Sequence, residues 1–143
     1  MIFKSFDLID EWASPTVTRD LRVLAASAEN LLWRIANRPV CVTNVLEDAG
    51  VTSTHSEGRA MDLRTMGHGW FDPADIFPAH SMIPYLTIEQ ATAWCDKLNA
   101  TWSTGVHFVT GKEMPCAVLH DVGLGHHLHI QVAHGRELRR RVL

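Results

Sequence analysis

The sequence has few cysteines, no long apolar run and no excess of positive charge, and each absence excludes a class of protein. Three cysteines occur in 143 residues, and their odd number and irregular spacing argue against a disulfide scaffold. No apolar stretch approaches the roughly 20 residues that a transmembrane helix needs, so we expect no membrane insertion. The formal net charge is −3 at pH 7, so no overall cationic field favours nucleic acid or anionic lipid.

The first residues also lack the features of a secretory leader. Acidic residues interrupt the apolar stretch in "MIFKSFDLIDEWAS", residues 1–14, which is unlike a signal peptide. We therefore expect a protein of the reducing cytoplasm.

Apolar residues make up 46% of the chain and charged residues 20%, as in ordinary globular proteins. This length predicts a single domain over 1–143, and we expect a monomer.

Hydrophobic periodicity predicts two helices and five β-like runs. Apolar residues recur at helical spacing in 17–36 and in 87–99, and Thr87 with Gln90 predicts a capping box for the second helix. The runs that predict strands are 40–46, 59–65, 106–110, 116–122 and 127–132. A long loop is expected over 67–84. The order of elements predicts an α+β domain, with a mostly antiparallel sheet and helices on one face.

Nine histidines stand out in this composition, and three of them crowd into "GHHLHIQV". Because side chains alternate across a strand, His127 and His129 share one face while Leu128 and Ile130 share the other. The same alternation in 59–65 puts Asp62 opposite Met61 and Leu63. If the two strands lie in one sheet, Asp62 and His129 converge on its open face. We expect Leu63 and Ile130 to be buried, and His107 and His120 to be ordinary strand residues.

The stretch "STHSEGRAMDL" adds a further potential ligand. His55 lies seven residues before Asp62, so a straight strand would aim the two side chains at opposite faces. The chain must turn between them, and Gly58 is the natural pivot. Ala60 shares the face of Asp62, where a larger side chain would crowd a bound ligand. His55, Asp62 and His129 with an open fourth position would suit a catalytic zinc site, but unrelated exposed histidines would give the same spacing.

The same residues resemble a known family. Ser53, His55, Gly58, Ala60 and Asp62 fit the pattern S-x-H-x-x-G-x-A-x-D, and His127-x-His129 begins 65 residues after Asp62. This is similar to the zinc D-Ala-D-Ala carboxypeptidase and L-alanyl-D-glutamate endopeptidase family, peptidase family M15, which belongs to a wider group with lysostaphin-type enzymes and the hedgehog domain. The resemblance covers roughly 40–132, the expected metallopeptidase core. It implies Zn²⁺ held by His55, Asp62 and His129 on the open face, and Ser53 as a supporting residue or a simple turn residue.

The resemblance also implies a reaction, the hydrolysis of a peptide bond in the stem peptide of bacterial peptidoglycan. Zinc would polarise the scissile carbonyl and activate a water molecule, and a nearby base would complete the nucleophile. Many relatives have an acidic base three residues before the last histidine ligand, where this chain has His126. Strand alternation and the H-x-H pair instead favour His127. Asp121 is the next candidate if neither histidine is the base.

The sequence also departs from the family pattern at a residue that binds the substrate. Many relatives carry an arginine upstream of the first motif that holds a substrate carboxylate, and the segment "VTNVLEDAG" has none. This favours an endopeptidase over a carboxypeptidase. The absence of a wall-binding module and of a leader predicts a phage or prophage endolysin that reaches the wall through a separate pore, or a protein carried in a virion. The alternatives are a non-enzymatic zinc-stabilised binding domain and a structural component of a phage tail.

Overall fold

The computed structural model describes residues 1–46, 54–65, 85–107, 109–121, 126–133 and 135–142. Three helices and seven strands lie within these ranges. They are, in chain order, β1 (Ile2–Phe3), α1 (Phe6–Ala13), α2 (Arg19–Ala36), β2 (Cys41–Asn44), β3 (Ala60–Arg64), α3 (Ile88–Thr101), β4 (Trp102–Ser103), β5 (Ala117–Asp121), β6 (His126–Gln131) and β7 (Arg139–Arg140). The expectation of an α+β fold is confirmed. No helix in the described ranges is long and apolar enough to cross a membrane.

Five strands form the main sheet, in the order β1-β2-β3-β6-β5. The pairs β2–β3, β3–β6 and β5–β6 are antiparallel, whereas β1 lies parallel to β2. The sheet is therefore mixed, which corrects the expectation of a mostly antiparallel sheet. The parallel pair arises because α1 and α2 lie between β1 and β2 in the chain, and such a crossover lets a strand return in the same direction.

The register between β3 and β6 sets the two faces of the sheet. Asp62 lies directly opposite His129, and Leu63 lies opposite Leu128. Leu63, Leu128 and Ile130 are completely buried, which confirms the expected apolar face. Helices α2 and α3 pack against that face, and the buried side chains of both helices belong to the same core as Leu63 and Ile130. Asp62 and His129 lie on the other face.

Local signals explain where the two long helices begin. The side chain of Thr18 accepts a hydrogen bond from Leu21 N, and α2 starts at the next residue. The capping box of α3 is confirmed, since Thr87 and Gln90 each bind the backbone N–H of the other. Each such cap contributes about 1 kcal/mol to helix stability. Trp94 Nε1 of α3 donates to the carbonyl of Ala28 at 2.9 Å, which joins the two helices inside the core.

The outer edge of β5 is covered at its first residue by one side chain of α3. Asn99 Oδ1 accepts hydrogen bonds from Cys116 N and Ala117 N, at 2.9 and 3.0 Å. Asn99 Nδ2 donates to the carbonyl of Ala117 at 2.8 Å, and the Cys95 thiol contacts the same oxygen. These contacts replace the partner strand that an edge strand lacks.

Other predicted elements differ from the structure or lie outside the described residues. The predicted strand 106–110 is wrong: Val106 makes an isolated bridge to Glu113, and Val109 is 72% exposed. The short elements α1, β1, β4 and β7 were not predicted; β7 lies in the basic segment "RELRRR" and pairs with β4. The long loop expected over 67–84 lies in the range 66–84, outside the described residues.

Gly58 is the pivot that the sequence indicates. Its φ is +65°, in the left-handed region, and an added Cβ would lie 2.1 Å from the backbone oxygen of Thr16. We expect Gly58→Ala to lower the free energy of unfolding by about 3 kcal/mol or more, because backbone strain of roughly 1–2 kcal/mol adds to this clash. Urea denaturation followed by circular dichroism measures the loss.

Gly111 provides a matched control for this substitution. Its φ is +64°, and an added Cβ would meet no atom within 4 Å. Gly111→Ala should therefore show the backbone strain alone, roughly 1–2 kcal/mol. Equal losses in the two variants would contradict the role given to the contact between Gly58 and Thr16.

Candidate metal centre

Three side chains from two strands and one turn converge on the open face of the sheet. His55 lies in the turn that precedes β3, Asp62 in the middle of β3, and His129 in β6. Each offers one ligand atom, and the three atoms all lie within 4.8 Å of one another. A group of two imidazoles and one carboxylate could hold a metal ion, and it is the group that the sequence motif indicates.

His55 is held by the turn and by one backbone oxygen. The hydrogen bonds from Gly58 N to His55 O and from Arg59 N to Thr54 O, both 2.8 Å, close the turn. His55 is buried, and its Nδ1 lies 3.0 Å from the carbonyl oxygen of Val45. A carbonyl oxygen only accepts, so Nδ1 carries the proton. His55 Nε2 is the ring nitrogen that faces the site, 3.4 Å from Asp62 Oδ1.

His129 is oriented by Gln131, two residues along β6. The Gln131 amide nitrogen donates to Pro115 O, and its Oε1 lies 3.3 Å from His129 Nε2. The amide oxygen only accepts, so His129 Nε2 carries a proton and Nδ1 faces Asp62 Oδ1 at 2.9 Å. Metal-binding histidines usually donate their other ring N–H to such an oxygen, and both His55 and His129 have this arrangement.

Asp62 is the negative member of the group. Asn44 Nδ2 donates to Asp62 Oδ2 at 3.3 Å, which leaves Oδ1 to the imidazoles. Burial by itself raises the pKa of Asp62, but the hydrogen bonds and charges of His129 and His55 outweigh burial and bring the pKa below its ordinary value. Asp62 is therefore ionised at neutral pH. A carboxylate facing two imidazole nitrogens requires positive charge between them, which a proton or a metal ion supplies.

His127 is the next imidazole beside this group. It shares the face of His129, and its Nε2 lies 3.5 Å from Asp62 Oδ1. Burial lowers the pKa of His127 despite the opposing effect of Asp62, which favours the neutral ring. His126 has the opposite parity on β6, that of the buried Leu128, and its carbonyl accepts from Thr65 Oγ1 at 2.7 Å. Of the two candidate bases, His127 is the one that lies beside the group.

His120 was expected to be an ordinary strand residue, yet it contacts two histidines of the site. Its ring stacks on His127, with centroids 5.6 Å apart, and meets the ring of His129 edge-on at 5.4 Å. Strand alternation in "CAVLHDV" indicates the face on which His120 lies, because Val118 and His120 share one face of β5. The missing information was the pairing of β5 with β6, which places His120 opposite His127. Asn44 was missed because the sequence does not show that β2 pairs with β3, which places Asn44 opposite Asp62.

Two further candidates have no described side chain. Ser53, the supporting residue of the motif, lies in the range 47–53, outside the described residues. Asp121 ends β5 opposite His126 in the register, but its side chain is not among those described.

Comparison with known proteins gives no assignment. The chain matches no protein-family model, no curated protein and no solved structure.

Proposed function

We propose that this protein is a zinc metallopeptidase that hydrolyses a peptide bond in the stem peptide of bacterial peptidoglycan. The observation that carries the proposal is the convergence of one ligand atom each from His55, Asp62 and His129 within 4.8 Å of one another. The position of His127, 3.5 Å from the same carboxylate oxygen, adds a proton acceptor beside the ligands.

The donor set fits zinc. Two imidazole nitrogens and one carboxylate oxygen are ligands that Zn²⁺ takes in catalytic sites, with a further position left for water or substrate. Tetrahedral bonds of about 2.1 Å place ligand atoms roughly 3.4 Å apart, and Asp62 Oδ1 lies 3.4 Å from His55 Nε2 and 2.9 Å from His129 Nδ1. Zn²⁺ held by His55, Asp62 and His129 would supply a Lewis acid that polarises the scissile carbonyl and lowers the pKa of a water molecule.

The remaining steps, proton transfer and the orientation of the ligand residues, are assigned to side chains and backbone oxygens of this chain. His127 Nε2 accepts a proton from the attacking water and returns it to the nitrogen of the leaving amine. The carboxylate of Asp62 is ionised and holds the positive charge of the site. Val45 O and Gln131 Oε1 fix the orientations of His55 and His129, at 3.0 and 3.3 Å, so the ligand atoms are arranged before substrate binds.

The motif supports the substrate class in this proposal. Its five matched positions resemble a family that cleaves the peptide stems of bacterial walls. The segment "VTNVLEDAG" has no arginine to hold a terminal carboxylate, so we propose an endopeptidase. The biological role that fits is that of a phage or prophage endolysin, which acts as a monomer and reaches the wall through a separate pore or in a virion.

The second candidate function is a zinc-stabilised binding domain or a virion structural protein on the same scaffold. The feature that favours it is His126, which occupies the position where many relatives have an acidic base. A protein of this kind would bind zinc and leave peptidoglycan intact.

Digestion of purified peptidoglycan distinguishes these functions. Mass spectrometry of the released muropeptides should show a newly cleaved stem-peptide bond with the zinc-loaded protein, and none after chelation. Permeabilised Gram-negative cells should likewise lose turbidity only with the metal-loaded protein. Zinc binding without any cleavage would favour the binding domain.

We expect the chelated protein to stay folded. The apolar face of the sheet is buried against α2 and α3 without any metal ion, and each fully buried side chain of this kind contributes about 1.5–3 kcal/mol. Far-ultraviolet circular dichroism should therefore hardly change on chelation, while hydrolysis stops. Complete unfolding on chelation would instead mark the ion as structural.

A further inference from the structure

His120 lies at the end of a row of imidazoles that crosses the open face of the sheet. Its ring is 5.6 Å from that of His127, at an interplanar angle of 25°, and 5.4 Å from that of His129. The ring of His129 meets that of His55 at 4.9 Å. The row therefore connects the outer strand β5 to the turn that precedes β3.

The stack covers one side of the His127 ring. The register of β5 and β6 places His120 directly opposite His127, and that of β3 and β6 places Arg64 on its other side. His120 is exposed at the sheet edge, whereas the His127 side chain keeps only 22% of its surface accessible. Removing the His120 ring would open the β5 side of His127 to solvent and to other rotamers.

The position of a general base decides its efficiency. A base must lie within hydrogen-bond reach of the proton that it accepts, and a displacement of about 1 Å can cost a large part of the rate. A ring with freedom to change rotamer spends less time in the productive position. A neighbour that stacks on the ring reduces this freedom through its shape, and it needs no titratable nitrogen to do so.

We propose that His120 is a positioning residue that holds the imidazole of His127 beside Asp62 by ring stacking. This inference rests on the proposed function, in which His127 is the proton acceptor. His120 itself exchanges no proton, so any flat aromatic ring at position 120 would serve.

Two substitutions of His120 distinguish an effect of ring stacking from an effect of proton exchange. His120→Ala removes the ring, and His120→Phe keeps a flat ring without nitrogen. The first should lower kcat on muropeptides by about two- to tenfold, the range that a single aromatic pair gives, with KM and zinc content unchanged. His120→Phe should restore kcat to near the unsubstituted value. His107→Ala is the control, because the imidazole of His107 binds its own turn, at Val109 N and Thr110 N.

A second measurement needs no hydrolysis. Three-bond couplings to the side chain of His127, measured by NMR on chelated protein, report its χ1 rotamer. We expect one rotamer in the unsubstituted protein and in His120→Phe, and averaging in His120→Ala. A loss of kcat in His120→Phe equal to that in His120→Ala would overturn the proposal, as would an unchanged rotamer in His120→Ala. Should the unsubstituted protein cleave no stem peptide, the proposed function fails, and the couplings still decide whether His120 positions His127.

Discussion

Replacing Asp62 by asparagine is expected to remove zinc from the protein and to abolish hydrolysis. Asp62 Oδ1 lies within 3.5 Å of three imidazole nitrogens, and its negative charge would balance a cation held between them. The amide keeps the shape and loses the charge, so the affinity for zinc should fall by about a hundredfold or more, beyond the usual cost of losing a supporting residue. Elemental analysis after dialysis should find one zinc per unsubstituted chain and almost none in Asp62→Asn.

A carboxylate outside the site gives the control. Asp96 is exposed on α3, and Asp96→Asn should retain both zinc and activity. His55→Ala and His129→Ala should behave like Asp62→Asn, because each removes one ligand atom. Full zinc in all three site variants after dialysis would show that the ion binds elsewhere.

Replacing His127 by alanine should reduce hydrolysis by about a hundredfold or more while zinc remains bound, because the loss of a general base typically has this cost. His127 Nε2 lies beside the ligand group, and its depressed pKa keeps it ready to accept a proton at neutral pH. The measurement is kcat on muropeptides at fixed zinc occupancy, since a loss of zinc would make the rates impossible to compare.

His126→Ala is the matched control for His127→Ala, because His126 is the neighbouring residue and its side chain lies on the opposite face of β6. It should retain most of the activity. Near-normal turnover in His127→Ala together with an inactive His126→Ala would reverse this assignment in favour of the position where relatives have an acid. If both variants remained active, Asp121 would be tested next.

The candidate ligands His55, Asp62 and His129 could be brought together from the sequence because their positions follow a local rule. Alternation along 59–65 and 127–132 places Asp62 and His129 on one face, and the register confirms it with the pair Asp62–His129. The position of His55 required one more inference, a turn at Gly58, and the φ of +65° confirms that turn. His120 could not be assigned in this way, because its role depends on which strand β5 pairs with.

The elements that sequence analysis missed depend on contacts between distant parts of the chain. The strand β1 has two residues, and it forms only because Ile2 and Phe3 lie beside Cys41 and Val42. The run 106–110 is the opposite case, a strand that the sequence predicts and that does not form. Its β-branched residues favour a strand, but within the part of the chain that the structure describes Val106 forms a bridge to Glu113 in place of pairing with a strand. Strand propensity reflects the available neighbours, which a single sequence does not specify.

The amide of Asn99 restricts the route by which an extended peptide can approach the candidate metal centre. Asn99 bonds the N–H groups of Cys116 and Ala117 and the carbonyl of Ala117, and Gln131 N bonds the carbonyl of Cys116. No backbone group of these two residues remains for an incoming strand. An extended peptide therefore cannot add to the sheet at these two residues by β-addition.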